Sequence, residues 1–189
     1  MKGEIMKKNL SILLLTLIPI AVQAELCPST SISAPSTTPS ARFDFQQESL
    51  VVVDKQTGLK WARCAFGYSW DEVNRSCEQN ESAKLTWTEA LIFVKDNPVY
   101  LGEQGWRLPN IKELASIIEY KCYNPAINND VFPGTVSDVF WSNTHVSGDI
   151  SDNGGASVRV VNFAGGEVGS NSRGTSNYLR LVKDADATN

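Results

Sequence analysis

Histidine is almost missing: His145 is the only one among 189 residues, and methionine occurs only twice. A hydrolytic triad or an imidazole-ligated metal would have to be built on that single side chain. No Gly-x-Ser-x-Gly elbow accompanies it, so nucleophilic catalysis through His145 has little to stand on. The four cysteines lack the close Cys-x-x-Cys spacing that zinc requires, which argues against a metal held through sulfur. Basic residues number 17 against 21 acidic ones and form no cluster interleaved with aromatics. Nothing therefore supplies the phosphate neutralisation on which nucleic-acid binding depends. After Ala21 there is no apolar run near the roughly 18 residues that a bilayer span needs, and no cofactor motif.

What is present begins with an export pattern. Lys7 and Lys8 precede an apolar run from Leu10 to Ala21, and Val22-Gln23-Ala24 places small residues where a signal peptidase reads them. This predicts a signal over residues 1–24. A lipoprotein site at Cys27 is disfavoured, because Glu25 and Leu26 stand where small residues are wanted. Removing residues 1–24 takes away three lysines and one glutamate, leaving 14 basic and 20 acidic residues and a formal charge of −6. About 165 residues then remain, enough for one domain.

All four cysteines, Cys27, Cys64, Cys77 and Cys122, lie in the exported part, where an oxidising compartment favours two disulfides. Three pairings are possible. Cys64 with Cys77 is preferred, since a loop holding Gly67, Asn74 and Ser76 closes at small entropic cost, and Cys27 with Cys122 then follows. Residues 25–42 are rich in Ser, Thr and Pro, a composition that stays extended. Bridging Cys27 to the domain would lay that segment along the surface.

The domain is expected over residues 43–183, with a short tail at 184–189. Val51 to Val53 and the alternation Leu59, Trp61, Arg63 flank turn residues and predict a hairpin. Thr86 caps a first helix, with Glu89 as its reciprocal partner and Asn97-Pro98 as its stop. Asn110 caps a second one, running from about Ile111 to Tyr120. Its apolar stripe is Ile111, Leu114, Ile117 and Ile118, while Lys112, Glu113, Ser116 and Glu119 face water. A proline-punctuated loop follows, then strands over Val139–Ser142, Ser157–Phe163 and Tyr178–Val182. Strands, two helices and strands again point to an α+β fold with an antiparallel sheet.

Five motifs carry a family resemblance: Asp54-x-x-Thr57-Gly58-Leu59-x-Trp61, Thr86-Trp87-x-x-Ala90-Leu91, Trp106-Arg107-Leu108-Pro109-x-x-x-Glu113-Leu114, Phe140-Trp141-Ser142 and Tyr178-x-Arg180-x-Val182. In this order they resemble the Lcl C-terminal domain family, named for the Legionella collagen-like adhesin. The resemblance implies a C-type lectin-like fold, two helices with a small antiparallel sheet and long loops, and an adhesin role that in the name-giving protein is a trimeric tip binding sulfated glycosaminoglycans. The Trp106–Glu113 segment is also similar to one in formylglycine-generating enzymes, but the reactive, copper-binding cysteine pair of those enzymes is not apparent here. The calcium signature of sugar-binding lectins is absent too.

Candidate contacts follow from the loops. Asp149, Ser151 and Asn153, followed by Gly154, imitate the start of a calcium loop, but Val160 stands where a bidentate glutamate should complete it, so a polar surface loop is favoured and no metal is expected. Trp61, Trp87 and Trp141 are expected in the core, and Trp70 is the better exposed platform. Arg107 is read as a structural arginine. The predicted ligand-binding set is Trp70, Asn143, Asp149, Asp152, Asn153, Asn171 and Arg173. The expected function is an exported, non-catalytic binding module for a glycan or surface protein, periplasmic or at the cell surface, with homo-oligomers possible. The competing readings are an enzyme related to the formylglycine generators and a structural or pilus-associated subunit.

Overall fold

A computed structural model describes residue 27 and residues 35–46, 50–79, 83–147 and 156–185. The expected export signal and Asp149, Asp152 and Asn153 lie outside the described residues. In chain order the elements begin with β1 (Phe43–Gln46), β2 (Val51–Asp54), β3 (Leu59–Ala62), β4 (Tyr68–Asp71), β5 (Ser76–Gln79) and β6 (Leu85–Thr86). There follow α1 (Trp87–Asp96), β7 (Val99–Tyr100), β8 (Glu103–Gln104) and α2 (Ile111–Ala115). The chain closes with β9 (Val139–His145), β10 (Ser157–Asn162), β11 (Glu167–Ser172), β12 (Ser176–Asn177) and β13 (Val182–Asp184).

The described strands make five sheets: a four-stranded one ordered β1-β2-β3-β13, a three-stranded one ordered β11-β10-β9, and the pairs β12-β6, β4-β5 and β7-β8. All pair antiparallel. The hairpin expected around residue 55 is β2-β3. Its turn is organised by Asp54, whose carboxylate accepts from Thr57 Oγ1 (2.6 Å) and Gln56 N (3.0 Å), and closed by Gly58 at φ +68°.

This architecture corrects the expected fold. Strand accounts for 39% of the described residues and helix for 13%, in several small sheets rather than two helices on one sheet, so the described part is mainly β and a C-type lectin-like arrangement is not established. Two physical causes stand out. The second helix stops after five residues: Ser116 N–H turns back to Lys112 O and Glu113 O, and Ile118 bridges to Ile127 instead of continuing the helix. Stretches read as loop also pair locally, notably β4-β5 inside the cysteine loop and β7-β8 after α1. The last strand starts at Val182, because Tyr178 already bridges to Phe140.

Both predicted caps are in place. Thr86 accepts from Glu89 N and Glu89 bonds back, and Asn110 and Glu113 do the same for α2. The stripe on the second helix also buries as expected, Leu114 and Ile117 at 0% exposure, despite the loss of helix beyond Ala115. Side chains three and four apart still share a side when the chain continues in tight turns.

The buried apolar residues form two clusters. One gathers Phe43, Val52, Trp61, Leu114, Ile117, Phe132 and Phe140 beneath the first sheet. The other gathers Trp87, Trp106, Leu108, Trp141, Val158, Val160 and Leu181. Four of the five tryptophans are therefore scaffold. Arg180, fully buried, ties the end of β3 to the loop at Thr135: its guanidinium donates to Ala62 O (2.9 Å), Arg63 O and Thr135 Oγ1 (2.7 Å). Burial lowers its pKa, which sets a premium on those three acceptors.

Both disulfides are formed, Cys64–Cys77 and Cys27–Cys122. The segment after Cys27 is held a second time at Glu119. That residue was expected to face water, yet it is only 3% exposed. Its carboxylate accepts from Ser36 Oγ, Thr37 N (3.2 Å), Thr38 N (2.8 Å) and Thr38 Oγ1 (2.9 Å). Burial alone would raise its pKa, but these donors and Lys121 N outweigh it and bring it down to about 2.

Candidate functional site

The N-terminus of α1 assembles the polar rim beside the late strands. Thr86 stops the chain in extended geometry and turns Trp87 inward, where its Nε1 donates to Ser142 O (3.1 Å) and its backbone N–H to Arg173 O (3.2 Å). Trp87 thereby fastens β9 and the turn after β11 to the same point. Arg173 lies over the indole at 4.8 Å, and His145 meets the ring edge-on at 5.0 Å. Arg173 Nη2 and His145 Nδ1 are 2.7 Å apart. Since a guanidinium can only donate, Nδ1 is the acceptor and the imidazole carries its proton on Nε2. His145 is thus a holder of Arg173.

Register explains why these residues meet. His145 pairs with Val158 and Val158 with Asn171, so the three make one cross-strand row. Directly opposed residues share a face, which sets His145 and Asn171 on either side of buried Val158. Asn171 Nδ2 donates to Asn177 Oδ1 (3.2 Å). Asn177 is 4% exposed, and its own Nδ2, like Arg173 Nε, is buried without a hydrogen-bond partner. Between Trp141 and His145 the pairing slips, and this bulge pushes Asn143 outward, exposed, with its N–H on Pro109 O (2.7 Å). Bulges re-aim side chains in this way at binding edges.

The predicted set is therefore divided. Asn171 and Arg173 belong to one rim, joined by Trp87, expected as core, by His145, expected only as an unsupported catalytic residue, and by Asn177, which sequence reasoning missed; Asn143 lies two residues before His145 on β9. Trp70 is elsewhere, on β4, half-buried, with Arg63 lying 4.0 Å over its ring and its Nε1 bonded to Glu72. It is not the open platform expected of it. No periodicity could have announced the Arg173–His145–Trp87 contact, which joins three elements far apart in sequence.

Arg107 is structural, as read. Its fork donates to both Glu113 oxygens (2.8 and 2.9 Å) and to Asp184 (3.0 Å). Burial would raise the Glu113 carboxyl, but Arg107 and the Asn110 N–H hold it below the usual range, and Glu113 in turn raises Arg107. The fork is occupied. Among the described residues, no group of three His, Cys, Asp or Glu side chains is placed to hold a metal ion, and no helix is long and apolar enough to cross a membrane.

Residues 50–183 match the Lcl C-terminal domain. The chain belongs to the Lcl C-terminal domain family. The matched span takes in β2 to β12, the first two residues of β13 and every rim residue named above. No curated protein matches the chain. The motifs that carried the resemblance have clear work in this member of the family: Trp61 and Trp141 fill the two cores, Arg107 and Glu113 close the α2 entry, and Arg180 bonds three acceptors from within. The family signature is thus largely a scaffold signature. The two disulfides fit an exported protein.

Proposed function

We propose that this chain is an exported, adhesin-like binding module that recognises a glycan or surface protein, in the periplasm or at the cell surface, without transforming it. The observation that carries the reading is the Arg173–His145–Trp87 stack. It presents a cation and flanking amides at the edge of a disulfide-bonded scaffold in which no described cysteine is free. Preorganised polar groups on a packed support are what recognition requires, since little ordering entropy remains to be lost on binding.

The acidic balance of the chain, −4 overall, opposes polyanions at long range. Heparin-like polymers are therefore expected to bind weakly. The test is a glycan array combined with capture of proteins from envelope extracts on the mature, oxidised protein. A partner retained by wild type and lost with Arg173→Ala or Asn171→Ala supports the reading; tight, salt-sensitive heparin binding, or the failure to find any partner lost with either substitution, contradicts it.

A further inference from the structure

A second concavity lies away from the rim. It has a volume of about 700 Å³ and is lined by Phe45, Arg63, Asn74, Arg75, Asn129 and Asp130, among others. We infer that this groove is a binding site for an uncharged pyranose of a surface glycan, separate from the late-strand rim.

The floor is built rather than incidental. Arg63 is 5% exposed, its guanidinium lies over both the Trp70 ring (4.0 Å) and the Phe45 ring (4.6 Å), and it donates to Val131 O (3.0 Å) and Asp130 O (3.1 Å). One side chain thus fixes β1, β4 and the turn around residue 130 in a single arrangement. The walls are held independently. Cys64–Cys77 ties β5 back to the end of β3. Gly134, at φ +67°, lets the turn press against that strand so closely that a Cβ would come within 2.4 Å of Cys77 O. At the hairpin tip, Asp71 accepts from Val73 N (2.8 Å), Asn74 N (3.1 Å) and Asn74 Nδ2 (2.8 Å), and Arg75 then sits at φ +50° beside the groove. On the far lip, Asn128 accepts from Asp130 N (3.0 Å) and donates to Thr38 O (2.6 Å).

The lining matches one ligand chemistry. A pyranose offers an apolar C–H face and a rim of hydroxyls that each donate and accept. Phe45, 46% exposed at a sheet edge, supplies an aromatic ring suited to the first. The Asn129 amide, the Asn74 amide oxygen, the Arg75 guanidinium and the Asp130 carboxylate supply planar donors and acceptors for the second. Cationic Arg63 and Arg75 face anionic Asp130, so the groove has mixed sign and no field that would concentrate a polyanion. A largely apolar ligand would leave these polar groups unpaired, and an acidic polymer would meet Asp130.

The test uses the mature, disulfide-bonded protein on immobilised uncharged oligosaccharides and their sulfated counterparts, with thermal melts to confirm that each variant folds. Phe45→Ala and Arg75→Gln, both at exposed positions, are expected to weaken uncharged-glycan binding at least tenfold. Arg173→Ala should leave it unchanged, as should raising salt from about 0.05 to 0.5 M. Loss with Arg173→Ala alone overturns the groove and leaves the rim reading standing. Binding only to sulfated polymers with steep salt dependence, or to no uncharged glycan, also overturns it, while an envelope protein lost with Arg173→Ala would still sustain the rim. Uncharged-glycan binding indifferent to Phe45→Ala and Arg75→Gln overturns the groove, and the rim falls with it when no envelope partner is lost with Arg173→Ala.

Discussion

Replacing Glu119 by glutamine keeps the shape of the side chain and removes the charge that gathers the N-terminal segment. In the folded protein this carboxylate accepts from Ser36, Thr37 and Thr38, and its pKa falls from an ordinary 4.5 to about 2. A depression of that size corresponds to on the order of 3 kcal/mol of stability near neutral pH. Glutamine retains part of the hydrogen bonding, so a loss of about 2 kcal/mol is the expected outcome. For a domain of this size that means a drop of roughly 4–8 °C in Tm. The sign with pH follows from the direction of the shift. Because the folded pKa lies below the unfolded one, the contribution is complete above about pH 4.5 and is lost as pH falls toward about 2. Asp54, Glu103 and Glu113 are also held low, so both proteins lose stability in acid. The informative quantity is the difference between wild type and Glu119→Gln, which should narrow from pH 5 to pH 2. Urea denaturation at a series of pH values measures it. Equal stability at pH 7, or a difference that does not change with pH, would refute the reasoning.

Other outcomes follow from the same geometry. Converting Cys64 and Cys77 together to serine should cost about 3 kcal/mol, since their residues are 13 apart and a loop of that order loses about that much closure entropy; calorimetry of the double variant checks it. Arg107→Met should cost about 1 kcal/mol, because the pair with Glu113 is partly screened by solvent, Arg107 being 36% exposed; its denaturation midpoint should approach that of wild type as salt rises. Trp141→Ala, at a site with no exposure, should cost about 3–5 kcal/mol by chemical denaturation. Gly134→Ala combines a positive φ with a 2.4 Å approach to Cys77 O and should destabilise the protein measurably in a thermal melt, whereas Gly174→Ala, with open space around it, should cost far less.

Local chemistry was legible and long-range assembly was not. The Thr86–Glu89 and Asn110–Glu113 boxes, the β2-β3 hairpin and the burial of the Ile111–Ile118 stripe each depend on residues within about a turn of one another, and each is present. Helix length failed because periodicity reports which side chains share a side, and tight turns preserve that after the helix ends. Glu119 was misplaced for a related reason. Its helical spacing pointed to water, whereas its partners are more than 80 residues away at Ser36–Thr38. The cysteine loop was read by composition, which hid the pairing of β4 with β5. The rim was half visible: Asn171 and Arg173 were chosen as polar late-loop residues, but Trp87 was counted only as core, and His145 was weighed only as a catalyst. A residue that supports a contact by stacking beneath it carries no mark in sequence that separates it from ordinary packing.

The described aromatics and disulfides build the support, and on our proposal recognition happens at the polar rim it presents. Amide chemical-shift mapping of the mature protein with a captured envelope partner tests this most directly. Shifts should concentrate at Asn143, His145, Asn171 and Arg173, with Trp61, Phe132 and Ile117 undisturbed; shifts spread through those buried residues, or a rim that stays silent while the partner binds, would refute the proposal.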